Sequence, residues 1–418
     1  MTNNKKNILI DGRFIGVGDS MTRYTLEILK HVLEIDGTND YTVLIRPQGK
    51  ELIESWIEKE SKKRLNVEIL DVPHYSFSEQ TKLLKWLKRK NYDLVHFIQF
   101  NHPIRYKGNF VITIHDLTLL GHLYRMNPLK RLGFKMVMAS AVKNSAKIIT
   151  GSNTSKDDII NIYNCNRKKI EVVYNGVDNK FSLKAKQPDR IQQFKKKYGI
   201  KDDYILYAGM WKRHKNLLRM LEAFEQVKLQ DTSYKIQTNH KFQIPNTQLV
   251  LVGKIDKEEP EVISLIDKIN QRISNKASEV PTLRPGSRSE GIGTNSASKA
   301  IITTGFIDEK ELPTAYAGAL AYCIPSLSEG FGLPPLEAMA CGTPVISSNI
   351  SAMPEILGDA PLYFDPYDIK DIAQAMKKII DDEKLRIELS KKGLEQAKRY
   401  DWKDTAKRTL EVYKSVLK

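Results

Sequence analysis

Short apolar runs alternate along most of the chain with longer segments of helical periodicity. In the first half the runs that resemble strands are Asn7–Ile10, Tyr41–Ile45, Val67–Leu70, Leu94–Ile98, Phe110–Ile114 and Ile148–Ser152. The second half repeats the pattern at Tyr204–Gly209, Leu249–Gly253 and Ile301–Asp308, and again at Ala317–Ile324, a short helix leading into a strand. Continuous apolar strands between helices are typical of parallel sheets covered on both faces. The pattern therefore predicts an α/β protein.

Two polar stretches interrupt this alternation. Asn179–Lys197 is polar and basic, and it predicts a linker followed by the first helix of a second domain. Asn275–Lys299 is rich in serine, glycine and charged residues, with little apolar content. Such a segment cannot bury a core, so residues 275–299 are predicted to form a flexible insertion.

Composition sets the broad class of protein. With 41% hydrophobic and 28% charged residues in 418, the chain is typical of a soluble globular protein of about two domains. Three widely spaced cysteines indicate neither a disulfide framework nor a zinc site. No apolar run reaches the roughly 18 residues of a membrane span, and the N-terminus does not resemble a signal peptide. We therefore expect a cytoplasmic protein.

The positive charge is concentrated in the first half of the chain. Residues 1–200 hold 35 Lys and Arg against 20 Asp and Glu, whereas residues 201–418 hold 31 against 30. Residues 82–90 and 123–147 are basic amphipathic segments of the kind that lie on anionic membranes. The alternative is that their apolar residues pack into the domain and the charges are solvated. Peripheral binding to a membrane surface thus stays open, and no nucleic-acid module is present.

The stretch SLSEGFGLPPLEAMACGTP, residues 326–344, carries the strongest chemical signal. Glycines after Glu329 let a ligand approach backbone amides, and Pro334 and Pro335 suit the first turn of a helix. The amides of Gly332 and Leu333 would then lie at a helix N-terminus, where phosphate binds readily. Glu337, about one turn into the helix, could accept hydrogen bonds from the hydroxyls of a ribose.

This E-x7-E pattern resembles the donor-site signature of retaining glycosyltransferases of family 4. That family has the GT-B fold, in which two Rossmann-like, doubly wound parallel-sheet domains face each other across a cleft. The resemblance covers essentially the whole chain. It implies an N-terminal, acceptor-binding domain over residues 1–180 and a nucleotide-sugar-binding domain over residues 181–399. Residues 400–418 resemble the helix that crosses back to the first domain.

The resemblance also implies roles for particular residues. Lys215 matches the lysine that contacts the donor diphosphate, and Arg213 supplies a second charge because Met210 stands where relatives carry arginine. His115, in HDLTLL, matches a histidine that faces the donor sugar, and Glu329 would orient the sugar hydroxyls. Backbone groups near Phe306 and Ile307 would hold the nucleobase. The amides of Gly330 and Phe331 would lie near the sugar, and those of Gly332 and Leu333 near the diphosphate. Glu337 would supply the ribose carboxylate, and Gly16 and Gly18 would form an N-terminal glycine loop.

The implied reaction moves a hexose from a nucleoside diphosphate sugar, as co-substrate, to a glycan or lipid-linked glycan acceptor in cell-surface polysaccharide synthesis. The motifs look most like those of bacterial mannosyl- and hexosyltransferases, which favours GDP-mannose over a UDP-sugar. The family retains anomeric configuration. We expect no cofactor and no metal, because the chain contains no Asp-x-Asp motif. The alternatives are a nucleotide-sugar epimerase or hydrolase of the same fold, a pyridoxal-dependent sugar phosphorylase, whose lysine-site pattern is missing, and a non-catalytic basic membrane-binding protein.

Overall fold

The computed structural model describes residues 5–17, 19–60, 65–118, 120, 127–237, 247–254, 259–278 and 299–417. Gly18, residues 123–126 of the second basic segment and residues 279–298 of the insertion lie outside the described residues. The chain divides into two compact units, one formed by Met1–Gly176 with Tyr400–Lys418 and the other by Val177–Arg399. The sequence had placed this boundary at residue 180.

The first unit is built on a parallel sheet. Its strands are β1 (Asn7–Asp11), β2 (Asp40–Ile45), β3 (Leu65–Ile69), β4 (Leu94–Phe97), β5 (Phe110–Ile114), β6 (Lys147–Thr150) and β7 (Ile170–Val172). Its helices are α1 (Asp19–Ile35), α2 (Lys50–Glu60), α3 (Leu84–Lys90), α4 (Pro128–Asn144), α5 (Asn153–Tyr163) and, after the other unit, α14 (Trp402–Val416). The sheet order is β3-β2-β1-β4-β5-β6-β7, so the direction of strand addition reverses between β1 and β4.

The second unit repeats this plan. Its strands are β8 (Tyr204–Ala208), β9 (Gln248–Val252), β10 (Ile301–Gly305), β11 (Ala321–Ile324), β12 (Val345–Ser348) and β13 (Leu362–Phe364). Its helices are α6 (Pro188–Tyr198), α7 (Leu217–Gln237), α8 (Pro260–Ser278), α9 (Leu312–Ala317), α10 (Leu333–Ala340), α11 (Met353–Leu357), α12 (Ile369–Asp381) and α13 (Glu383–Ala397). The order β10-β9-β8-β11-β12-β13 reverses between β8 and β11. The predicted doubly wound α/β class is confirmed for both units.

Burial explains why the strands are continuous apolar runs. Every residue of β4, β5, β8, β9 and β11 is buried, because helices cover both faces of each sheet. The last helix, α14, packs Trp402, Ala406, Leu410 and Tyr413 into the core of the first unit. A buried hydrogen bond of 2.7 Å between the Tyr413 hydroxyl and His96 Nδ1 joins this helix to β4. The C-terminal segment is therefore part of the first unit.

The two basic segments differ in where their apolar residues lie. In the first, Leu83 and Leu87 are buried in the core and the lysines face solvent. In α4, Leu129, Leu132 and Met136 remain 80%, 57% and 54% exposed. The interpretation as a solvated helix face therefore fits residues 82–90, whereas α4 presents apolar residues to solvent.

Candidate donor and acceptor sites

In open parallel sheets ligands bind beyond the carboxyl ends of the strands, where the strand order reverses. In the second unit that point lies between β8 and β11. The loop after β8 carries Arg213 and Lys215, and the loop after β11 carries Glu329. The topology alone therefore brings these predicted residues to one edge of the sheet.

Hydrogen bonds fix these two loops to each other. The Leu327 amide donates to the His214 carbonyl at 2.7 Å. Asn216, buried and in the left-handed conformation at φ +59°, donates from Nδ2 to the carbonyls of Pro325 (3.0 Å) and Pro366 (2.8 Å). Asparagine tolerates this backbone conformation better than most residues. The two loops are therefore hydrogen-bonded into one surface, and Asn216 also ties it to the segment after β13.

Lys215 and Glu329 form an ion pair in that surface. Lys215 Nζ lies 2.6 Å from Glu329 Oε1, and the side chains are only 20% and 12% exposed. The Ser326 hydroxyl donates to the same oxygen at 2.6 Å. The Ser351 hydroxyl accepts from the Glu329 amide at 3.0 Å and donates to its carbonyl at 2.9 Å. The structure therefore joins the side chains predicted to hold the diphosphate and the sugar.

The helix α10 begins directly after this pair. Gly332, its N-cap, has φ +94°, and a Cβ there would lie 2.5 Å from the Met353 side chain. Only glycine fits both constraints. Gly330 and Phe331 are buried, whereas Leu333 is half-buried at the first helical position. Amides of a first helical turn lack partners within the helix and attract anions. This N-terminus suits a phosphate.

Glu337 lies one turn into α10 and is almost completely buried, at 3% exposure. The hydroxyl of Tyr316, itself fully buried on α9, donates to Glu337 Oε2 at 3.1 Å. A buried carboxylate requires such partners to offset its lost hydration. Tyr316 was missed by the sequence reasoning, since nothing in the motif points to a residue 21 positions upstream.

The other predicted donor residues are more exposed. Arg213 faces solvent in the loop that holds Lys215. After β10, Phe306 is 69% exposed whereas Ile307 is buried in the core at 5%. Strands β10 and β8 are separated by β9, so their ends lie roughly 10 Å apart. Phe306 directly follows β10 and Arg213 lies in the loop after β8, so both residues lie beyond the same edge of the sheet.

His115 follows β5 in the first unit. Its Nε2 lies 3.1 Å from the Ile98 carbonyl, and the Tyr24 ring packs edge-on at 4.8 Å. Burial lowers the pKa of His115, which favours the neutral imidazole. The ring borders a pocket of about 60 Å³ whose other lining residues include Tyr75, Gln99 and Asp116.

Gly16 occupies a tight turn with φ +80°. A Cβ there would lie 2.9 Å from the Gln48 carbonyl oxygen, so the missing side chain lets two backbone segments pack together. The described part of this loop thus gives a packing reason for its glycine, while its predicted partner Gly18 lies outside the described residues.

A metal-binding cluster and a membrane-spanning helix are both absent from the described residues. No group of three or more His, Cys, Asp and Glu side chains within the described ranges could hold a metal ion. Nor does any helix in those ranges have the length and apolar character needed to cross a membrane.

Comparison with known proteins identifies the family. Residues 21–181 match the family described as Glycosyltransferase Family 4, and residues 292–396 match Glycosyl transferases group 1. Together the two matches cover more than half of the chain. The chain belongs to glycosyltransferase family 4, and the predicted family is confirmed.

Two curated relatives are mannosyltransferases of Escherichia coli. O-antigen chain mannosyltransferase B is 27% identical over 332 residues, which is 79% of this chain and 76% of that protein. Serotype-specific mannosyltransferase WbdA is 26% identical over 284 residues, which is 68% of this chain but only 30% of that protein. The chain therefore matches less than a third of the length of WbdA.

Among solved structures, Anabaena Alr3699/HepE in complex with UDP-glucose superimposes with a TM-score of 0.67 at 16% identity. The match covers 98% of this chain and all of that one. At this identity the likeness concerns the fold, and the predicted GT-B fold is confirmed.

Proposed function

We propose that the protein is a retaining, metal-independent hexosyltransferase that uses a nucleoside diphosphate sugar. The acceptor would be a saccharide or a lipid-linked glycan of a cell-surface polysaccharide. The observation that supports this most is the arrangement of Lys215, Glu329 and Glu337 around the N-terminus of α10. GDP-mannose is the favoured donor because two relatives are named as mannosyltransferases, while a relative in fold binds UDP-glucose.

In this proposal each group acts on charge that develops as the glycosidic bond to phosphate breaks. Lys215, Arg213 and the amides of Gly332 and Leu333 would hold the diphosphate and stabilise its growing negative charge. Preorganised donors of this kind contribute strongly because they need no reorganisation during the reaction. Removal of one such donor typically costs about 10²-fold in kcat. We expect a loss of that order in Lys215→Ala.

Binding of the rest of the donor is assigned to neighbouring groups. Glu337, oriented by Tyr316, would accept hydrogen bonds from the ribose, and the backbone near Phe306 and Ile307 would hold the base. Glu329, with the amides of Gly330 and Phe331, would orient the sugar hydroxyls. His115 keeps the role that its motif implies, facing the transferred sugar as a neutral imidazole. No covalent nucleophile is assigned.

A thermal-shift panel of UDP-, GDP-, ADP- and dTDP-sugars tests the donor site. A ligand that binds the native state raises Tm, and the shift grows with the logarithm of the ratio of its concentration to its Kd. We expect one nucleotide to raise Tm and the effect to be lost in Glu337→Ala. If no nucleotide sugar shifts the Tm, the donor-site assignment is wrong.

The acceptor requirement separates transfer from the second reaction class. A nucleotide-sugar epimerase or hydrolase of the same fold would convert the donor without any acceptor. We expect release of nucleoside diphosphate to depend on added glycan. Full donor turnover without glycan would favour the alternative class.

The proposed independence from metal has its own test. The described residues offer cationic side chains and helix amides for the diphosphate. We expect transfer to survive excess chelator, measured as sugar incorporation into the acceptor. Complete loss that added Mg²⁺ or Mn²⁺ restores would contradict this model of the site.

We further propose that the protein works at the cytoplasmic face of a membrane and that α4 makes the contact. Leu129, Leu132 and Met136 lie three and four residues apart, on one face of the helix, beside the exposed Lys130 and Lys135. Apolar burial would contribute about 1.5–3 kcal/mol per leucine, and each basic residue about 1 kcal/mol near anionic lipid.

Sedimentation with anionic liposomes tests this contact. Leu129→Ser with Leu132→Ser should weaken binding, whereas Ile162→Ser, an exposed apolar residue on α5, should not. Changing Lys82, Lys85, Lys88, Arg89 and Lys90 to Gln should weaken binding only through lost charge. Wild-type binding by the α4 double variant would exclude this helix as the contact.

A further inference from the structure

Backbone strain marks one side chain in the first unit. Within the described ranges five residues other than glycine have positive φ: Tyr75, Asn91, Asn164, Asn216 and Ser351. Asparagine adopts this conformation at little cost. Ser351 belongs to the candidate donor site, where its hydroxyl binds the backbone of Glu329. Tyr75, at φ +58°, is the bulky residue of the set. Strained residues persist where the surroundings impose them, and they cluster at functional sites.

A buried network of charges holds Tyr75 in this conformation. Arg13 is completely buried and donates from Nε and Nη2 to the two oxygens of Asp11, both at 2.8 Å. Arg13 Nη2 also donates to Glu79 Oε1 at 3.0 Å, and the other Glu79 oxygen accepts from the Tyr75 amide at 2.8 Å. Arg13 Nη1 donates to the Val72 carbonyl at 3.2 Å. The network thus runs from the end of β1 to the backbone of Tyr75.

Burying three charged groups costs more free energy than an ordinary turn requires. Buried charges lose hydration and are retained only where partners and hydrogen bonds compensate. Here two carboxylates and one guanidinium, all at most 3% exposed, converge on the segment that carries Tyr75. The left-handed backbone conformation that the network stabilises sets the orientation of the Tyr75 side chain.

Tyr75 lines the pocket beside His115. The residue remains 57% exposed, and its ring contacts the Phe100 ring at a centroid distance of 5.9 Å. Gln99 and Asp116 line the same pocket. An exposed aromatic ring beside a carboxylate and an amide matches a pyranose, which has an apolar face of C–H groups and a rim of hydroxyls.

We propose that Tyr75 is the platform on which a pyranose ring of the glycan acceptor stacks. Asp116 accepts hydrogen bonds from the sugar hydroxyls, and Gln99, whose Oε1 already accepts from the Phe100 amide at 3.3 Å, donates to them from Nε2. Asp11, Arg13 and Glu79 are positioning residues that set the direction of the ring. This proposal rests on the proposed transfer to a glycan, and it names the residue that selects the acceptor.

Saturation-transfer NMR with methyl glycosides of mannose, glucose and galactose tests the platform. We expect at least one glycoside to bind the wild-type protein and Tyr75→Phe alike. In Tyr75→Asn the ring is lost but asparagine suits the left-handed backbone, so affinity should fall on the order of tenfold while Tm stays at or above the wild-type value. The matched control is Phe77→Ala, which removes a neighbouring, 82% exposed aromatic and should leave glycoside binding unchanged.

Positioning is tested by Glu79→Gln. The amide has one acceptor oxygen instead of two, so it cannot serve both Arg13 and the Tyr75 amide. Glycoside binding should weaken severalfold, while the Tm shift caused by the nucleotide sugar, which reports on the second unit, stays unchanged.

Several results would overturn the proposal. The first is equal glycoside binding by the wild type and Tyr75→Asn, which includes no binding by either. The second is a lower Tm in Tyr75→Asn together with its lost glycoside binding. The third is an equal loss of glycoside binding in Phe77→Ala. A missing nucleotide-sugar shift in the wild type would instead refute the proposed donor site, so the two failures are distinguishable.

Discussion

Glu329→Gln should separate diphosphate binding from sugar transfer. In the structure Glu329 holds Lys215 at 2.6 Å in a surface where both side chains are largely buried. A diphosphate that reaches Lys215 must share this lysine with the carboxylate and also approach its negative charge. Glutamine keeps the shape and the hydrogen bond from Ser326 but removes the charge. We therefore expect a nucleoside diphosphate without sugar to bind the variant more tightly.

The magnitude follows from the geometry. A hydrogen bond to a charged group contributes about 1.5–3 kcal/mol, part of which the diphosphate regains from Lys215. A net gain on the order of 1 kcal/mol corresponds to roughly fivefold tighter binding. Transfer should fall by at least about tenfold, because the hydroxyls of the sugar lose a charged acceptor. The matched control is Ser326→Ala, which removes the neutral partner of the same oxygen and leaves the charge.

Isothermal titration with the nucleotide identified by the thermal-shift panel measures the first effect, and sugar incorporation measures the second. The reasoning would be refuted if the nucleoside diphosphate bound Glu329→Gln about threefold or more weakly than the wild type, which is the size of effect expected for a lost contact. It would mean that Glu329 supports the nucleotide instead of competing with it for Lys215.

Two further predictions concern buried hydrogen bonds. Tyr316→Phe removes the hydroxyl that donates to Glu337. We expect a loss of about 1.5–3 kcal/mol in unfolding free energy and weaker nucleotide-sugar binding, measured by thermal shift. An unchanged Tm and an unchanged affinity would show that this hydrogen bond is unimportant. Burial, with a smaller effect of His115, lowers the pKa of His96 to about 3. Because the unfolded histidine binds its proton near pH 6.5, this group contributes full stability above that pH and loses it as pH falls toward 3. In His96→Gln the unfolding free energy, measured by denaturant titration, should depend less steeply on pH, by up to about 1.4 kcal/mol per pH unit near pH 5. Parallel plots of unfolding free energy against pH for both proteins would contradict this.

Much of the fold was predictable because burial is encoded locally. A strand covered on both faces must be continuously apolar, so runs such as those of β5 and β8 are visible without any tertiary information. The stretch around Glu329 and Glu337 was also predictable, because its glycines and prolines fix a turn and a helix start within a few residues. The sequence likewise identified the basic character of α3 and α4, since charge is a property of composition.

Tertiary structure alone decided which distant side chains meet. Lys215 and Glu329 are 114 residues apart and become partners because the strand order reverses between β8 and β11. Arg13 and Glu79, 66 residues apart, also meet only in the folded chain, where Glu79 binds the Tyr75 amide as well. Whether the leucines of α3 and α4 face the core or solvent depends equally on neighbouring elements. Local periodicity indicates which side chains can share a buried face, but sheet order and the packing of neighbouring elements decide whether that face is covered and by what.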